Sequence, residues 1–127
     1  LLKYSTLLDV NSTKASILII DNIGMLSSIY HYAKLAYIGG GFGKGIHNTL
    51  EAVVYEIPVL FGPKHKKFVE AEDLLKLGVA FELSTKVDVV EVLNKLNFDE
   101  IQKQAREYII TQNGATQRIL DCIEKVK

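Results

Sequence analysis

The chain carries no surplus of either charge: fifteen Lys and Arg balance fifteen Asp and Glu, so nothing draws it to a polyanion, and DNA or RNA is not an expected partner. Cysteine is almost absent. The single thiol, Cys122, cannot form an internal disulfide, and its apolar helical setting reads as a small core residue. Three scattered histidines and that thiol offer no metal-ligand spacing, so no metal is expected. No apolar run approaches the roughly twenty residues of a membrane span, and the first residues lack a charged segment backed by an apolar one, so the chain reads as soluble. Repeats and low-complexity tracts are missing too, and 48% hydrophobic against 24% charged residues argues for a packed core rather than disorder. These absences leave one domain over residues 1–127. It begins at Leu1 rather than at methionine, which suggests a piece of something longer.

What is present concentrates in one stretch, Tyr37 to Glu51, reading YIGGGFGKGIHNTLE. A short apolar strand, Leu35 to Ile38, runs into five glycines in seven residues, and a helix is expected to open near His47 or Asn48. Glycine lets the backbone take positive φ and lets another molecule approach the chain, so this density between strand and helix points to a ligand surface. The start of the following helix would turn free N–H groups and about half a positive charge toward the same loop, which suits an anion. The spacing matches neither the dinucleotide G-x-G-x-x-G nor the phosphate loop ending in Gly-Lys-Ser/Thr. Asn48 and Glu51 are three apart and share a face of the first helical turn, where an amide and a carboxylate can grip the vicinal hydroxyls of a ribose. They could equally form a reciprocal cap of the helix. Lys44, inside the glycine loop, is the better single candidate for a phosphate contact.

Along the rest of the chain, Leu1 to Lys14 reads as a poorly patterned lead-in, and Ala15 to Ile20 as a strand buried on both faces. Asp21 to Gly24 turns the chain into a helix over Met25 to Ala33. Pro58 to Phe61 is a strand entered through proline, ended by Gly62 and Pro63. A helix from Phe68 to Leu77 carries an apolar stripe of Phe68, Ala71, Leu74, Leu75 and Leu77, stopped by Gly78. Val79 to Leu83 is a strand. Ser84 and Thr85 cap a helix from Lys86 to Leu96 with Val87, Val90, Leu93 and Leu96 inward, and helices over 99–111 and 115–126 follow. Tyr4, Tyr30, Tyr32 and Tyr37 read as packing residues. Strands alternating with helices imply an α/β fold, a Rossmann-like parallel sheet with helices on both faces, whose strand-to-helix loops share one edge. Residues 21–25, 39–48 and 62–68 would lie there. The run Lys64, His65, Lys66, Lys67 reads either as a solvated basic turn or as positive charge facing a phosphate or sugar carboxylate.

In order and spacing, Leu18 to Met25, Ala36 to Gly41, His47 to Ala52, and Ile57 to Pro63 with Phe68 and Glu70 resemble the C-terminal domain of 3-deoxy-D-manno-octulosonic acid (Kdo) transferase. The likeness runs from about Ala15 to Leu77. Thr49 stands where that family usually has proline, Gly41 where serine often follows the glycines, and Met25 where glutamate is common. The resemblance implies the C-terminal half of a GT-B glycosyltransferase, which moves Kdo from CMP-Kdo onto the lipid A precursor at the cytoplasmic face of the bacterial inner membrane. It implies no metal and no cofactor. By matching position, Ile23, Gly24 and Met25 would touch the nucleotide, and Asn48, Thr49, Leu50 and Glu51 would hold ribose and phosphate beside Gly40, Gly41 and Lys44. The catalytic base, the acceptor surface and the membrane anchor are expected in an N-terminal half, so the chain alone is expected to be inactive. Two alternatives stay open: another GT-B transferase or sugar-nucleotide epimerase using a UDP-sugar, and a non-catalytic α/β interaction module.

Overall fold

Three short parallel strands organise the larger part of the chain in a computed structural model that describes residues 1–6 and 15–126. Of the lead-in expected over residues 1–14, residues 7–14 lie outside the described residues. The chain divides into two compact units, Leu1–Tyr32 and Ala33–Lys127.

In the larger unit, β3 (Ala36–Ile38), β4 (Val59–Phe61) and β5 (Ala80–Glu82) pair in that order, with Ala36 opposite Val59 and Val59 opposite Ala80. The central position of β4 explains its sequence. Bonded on both sides, it buries Val59, Leu60 and Phe61 alike, so it needs an unbroken apolar run rather than an alternation. Pro58 enters this strand without a donor to lose, and its carbonyl accepts the N–H of Ala36 at 3.0 Å. At the edge, β3 buries Ala36 and Ile38 and leaves Tyr37 exposed, so Tyr37 is not the packing residue expected of it.

Around this sheet the chain winds α2 (Leu50–Val53), α3 (Val69–Lys76), α4 (Lys86–Lys95), α5 (Phe98–Gln112) and α6 (Ala115–Val126). α3 buries Ala71 and Leu74 completely, and α5 buries Ile101, Ala105 and Tyr108, one stripe at helical spacing. Fully burying side chains such as Phe61, Leu74, Val53 and Val59 is worth about 1.5–3 kcal/mol each. Thr85 begins α4 with a reciprocal cap: its hydroxyl accepts the N–H of Asp88, whose carboxylate accepts the N–H of Thr85 at 2.6 Å. Glu56 alone among the described non-glycine residues takes positive φ, 59°, and Arg106 of α5 holds its carboxylate through two bonds of 2.8 and 2.7 Å.

Two amphipathic expectations fail. On α4, Val90 and Leu93 are exposed rather than inward while Leu96 is half-buried and the Val87 side chain lies outside the described residues, and on α6 the whole span 116–125 is exposed, Cys122 included. An apolar stripe records what a helix is able to bury; burial needs a second surface, which neither stripe meets among the described residues. Leu77 is likewise exposed at the end of the α3 stripe.

The smaller unit pairs β1 (Leu2–Lys3) with β2 (Leu18–Ile19) in parallel, followed by α1 (Leu26–Tyr30). This overturns the reading of residues 15–20 as a strand buried on both faces: Ile17, Leu18 and Ile19 are exposed, because a ladder two residues long with one neighbour covers neither face. It also puts a strand at Leu2, where no pattern was visible. Tyr4 and Tyr32 are exposed as well.

Candidate functional site

The loop from β3 to α2 and the loop from β4 to α3 lock together through glycine. At Gly41 an added Cβ would stand 2.5 Å from the nitrogen and 2.6 Å from the Cα of Gly62; at Gly62 it would stand 2.7 Å from the carbonyl carbon of Gly41. Gly40, at φ 91°, would overlap the carbonyl of Gly45 if it had a side chain. These glycines are therefore demanded by the protein's own backbone, whereas the density had suggested room for a ligand. Gly43 differs: a Cβ there would find its nearest heavy atom, the Gly40 carbonyl oxygen, at an ordinary 3.5 Å.

Much of the loop's hydrogen-bonding capacity is also used internally. The N–H groups of Gly43 and Gly45 donate to Gly40 at 2.8 and 3.2 Å, that of His47 to Gly39 at 3.1 Å, and that of Ile46 to Lys64 at 3.3 Å. The helix after the loop is four residues long rather than the expected span 48–55, since the turns at Tyr55 and Glu56 tighten to Ala52 and Val53. Aligned peptide dipoles add along a helix, so one turn supplies only a fraction of the half charge a long helix offers. Positive charge in this region comes chiefly from lysine.

Four lysines supply it. Lys44 of the first loop and Lys64, Lys66 and Lys67 of the second line one cavity of about 530 Å³, with Phe68 as an apolar wall and no acidic residue in its lining. The basic run and the glycine loop thus share a single concavity. Lys64 ties the two by donating from Nζ to the Gly43 carbonyl at 2.7 Å and from its backbone to Gly41 at 2.9 Å.

Between these lysines, His65 points the other way. It is 3% exposed, packs 5.1 Å from the Phe61 ring, and places Nε2 2.6 Å from a Glu82 oxygen. Its Nδ1 lies 2.8 Å from a Glu72 oxygen, an ion-pair distance without the alignment of a hydrogen bond. The hydrogen bond from His65 holds the Glu82 carboxyl below its ordinary value, with lesser help from Ser84, from the His65 charge and from Lys66. A carboxylate whose folded value is depressed contributes stability above its unfolded value near 4.5, and that contribution is lost as pH falls through the folded value. Acid unfolding should therefore be less steep below pH about 4.5 in Glu82→Gln than in the wild type, read as thermal midpoint against pH. Parallel curves would mean that the His65 contact is not linked to folding. Sequence reasoning had given His65 no separate role; its only signal was one imidazole inside a run of lysines.

Asn48 and Glu51 stand exposed beside this cavity's glycine loop in sequence, and neither lines it. The Asn48 amide donates to Glu51 at 3.0 Å, and its oxygen accepts the N–H of Leu50 at 3.0 Å. Glu51 does not complete the reciprocal cap, for its carboxylate meets the Asn48 side chain instead of a backbone donor. The pair is thus preassembled and open to solvent. Thr49 goes inward, 1% exposed with an unpartnered hydroxyl, so its side chain is not on the surface with them. Leu50 is half-buried and its N–H is already taken.

The loop 21–25 belongs to the smaller unit. Ile23 is fully exposed, Gly24 takes φ 95° with open space around it, and the Met25 sulfur lies 2.9 Å from the Asn22 amide. Asp21 is held below the ordinary carboxylate range by the hydroxyl and backbone N–H of Ser5, at 2.6 and 2.9 Å. Among the described residues no cluster of three His, Cys, Asp or Glu could hold a metal, and no helix is long and apolar enough to cross a membrane.

No family model matches the chain. It is similar to the 3-deoxy-D-manno-octulosonic acid transferase of Chlamydia muridarum, 38% identical over 91 residues, covering 69% of this chain and 21% of that protein. The 3-deoxy-D-manno-octulosonic acid transferase of Aquifex aeolicus is 33% identical over 85 residues, 65% of this chain and 24% of that protein. A bifunctional glycosyltransferase/methyltransferase of Fusobacterium nucleatum is 31% identical over 105 residues, 77% of this chain and 16% of that protein. The chain therefore spans a quarter or less of the length of these relatives. In structure it matches the C-terminal CMP-Kdo binding domain of WaaA from Acinetobacter baumannii with a TM-score of 0.62 at 21% identity, covering 72% of this chain and 52% of that one. That likeness is one of fold.

Proposed function

We infer that this chain, a relative of the 3-deoxy-D-manno-octulosonic acid transferases over about two thirds of its length, is the donor-binding part of such a transferase. The donor is CMP-Kdo, and the acceptor is the lipid A precursor, met at the cytoplasmic face of the bacterial inner membrane by a second, N-terminal half that completes a GT-B enzyme and carries the catalytic base. The observation that carries this reading is the Asn48–Glu51 pair, solvent-facing and joined at 3.0 Å directly after the glycine loop.

The chemistry required of these residues is orientation and charge. Glu51 accepts from ribose hydroxyls while the Asn48 amide fixes its carboxylate in place; Lys44 meets the phosphate as it takes up charge on leaving. Each charge-assisted hydrogen bond of this kind is worth about 1.5–3 kcal/mol. Gly40 and Gly41 act by shaping the loop. No metal or cofactor enters the mechanism.

Titrating CMP, UMP and UDP into the chain tests the reading. CMP should bind about tenfold or more tightly than UMP. A preference for a uridine nucleotide would point to a UDP-sugar enzyme instead, and indifference to all three would favour a module without a nucleotide.

A further inference from the structure

The lysine-lined cavity holds more positive charge than one nucleoside monophosphate needs. Lys64, Lys66 and Lys67 rise from a single turn, Lys44 faces them from the glycine loop, and the chain as a whole has no net charge, so this is a local concentration rather than a basic surface. No acidic residue lines the cavity, and Glu72 and Glu82 both close on buried His65 instead, 2.8 and 2.6 Å from its two nitrogens. The turn is rigid at its ends as well, through Lys64 to Gly41 at 2.9 Å and Phe68 to His65 at 2.8 Å. Like charges held together on a fixed frame repel one another, and a bound oxyanion relieves that repulsion.

We propose that the cavity walled by Lys64, Lys66 and Lys67 is a second anion subsite that takes the carboxylate of the donor's sugar acid, while the nucleotide phosphate belongs to Lys44 and the residues around Asn48. The proposal rests on the donor reading above, because that donor carries two anionic groups, a phosphate and a carboxylate, on one molecule. A volume of about 530 Å³ accommodates a sugar of this size, and Phe68 supplies an apolar face against its carbon skeleton. His65 presents no atom to the cavity lining; buried between Glu72 and Glu82, it holds the turn from behind.

The test titrates four probes into the chain, followed by NMR: free 3-deoxy-D-manno-octulosonate, its uncharged carboxamide, inorganic phosphate and CMP. The acid should bind and the amide should not. Lys66→Gln combined with Lys67→Gln, two exposed changes that leave the core untouched, should weaken the acid about fivefold or more and leave CMP within about twofold. Equal binding of acid and amide overturns the proposal, as does an unchanged affinity of the double variant for the acid. If inorganic phosphate outcompetes the acid with the same lysine dependence, the occupant is a phosphate ester and the carboxylate assignment is wrong. Loss of CMP and acid together would return the lysines to the nucleotide. Binding of the acid without CMP would instead remove the nucleotide reading and keep the subsite.

Discussion

Glu51→Ala is expected to lower the affinity of the chain for CMP by about tenfold to a hundredfold, the loss of one charged acceptor for ribose. Its thermal midpoint should barely move. In the free protein Glu51 is exposed and accepts a single hydrogen bond, from the Asn48 amide, and makes no backbone cap whose loss would loosen α2. Exposed changes of this sort stay within about 0.5 kcal/mol. Asn48→Ala is different in kind, since Asn48 also accepts from the N–H of Leu50 at 3.0 Å and should cost both affinity and some stability. A Glu51→Ala protein that is less stable but binds CMP normally would reduce the pair to a local brace, leaving the donor reading without its main support.

Gly41→Ala should strongly destabilise the larger unit. The added carbon would meet three backbone atoms of Gly62 between 2.5 and 2.7 Å, and backbone cannot swing aside as a side chain can. Overpacking of this severity costs about 3 kcal/mol or more, which for a chain of this size lowers the thermal midpoint by roughly 10 °C. Gly43→Ala is its control, because the space there is open, with the nearest atom at 3.5 Å. If Gly41→Ala unfolds at the wild-type temperature, the two loops are not locked in the way the glycines imply. If Gly43→Ala keeps its stability and loses CMP, close backbone approach of the ligand belongs to that glycine.

Much of this architecture was legible in the residues. The apolar run after Pro58 announces a strand; Gly78 ends α3 at φ 70°; Thr85 caps α4. Each is a local decision, made by backbone preference or by a side chain reaching a neighbour within four residues, and such decisions are written in sequence. The site was legible in a narrower sense. Asn48 and Glu51 are both exposed and bonded side chain to side chain, yet Asn48 lies before the helix their spacing had assumed, and the spacing could not reveal that Thr49 between them turns inward.

What the sequence alone determined is the order of strands and helices in the larger unit, the loop where charge and glycine gather, and the amide–carboxylate pair behind it, all consequences of short-range geometry. Tertiary structure decided the rest: that Gly40, Gly41 and Gly62 serve backbone contacts, that Lys44 and the distant Lys64 to Lys67 turn face one cavity, that His65 is buried between Glu72 and Glu82, and that Cys122 and the α6 stripe are bare. These depend on which segments meet in space, and on whether any surface arrives to cover an apolar face. Neither quantity has a period that a linear pattern can carry.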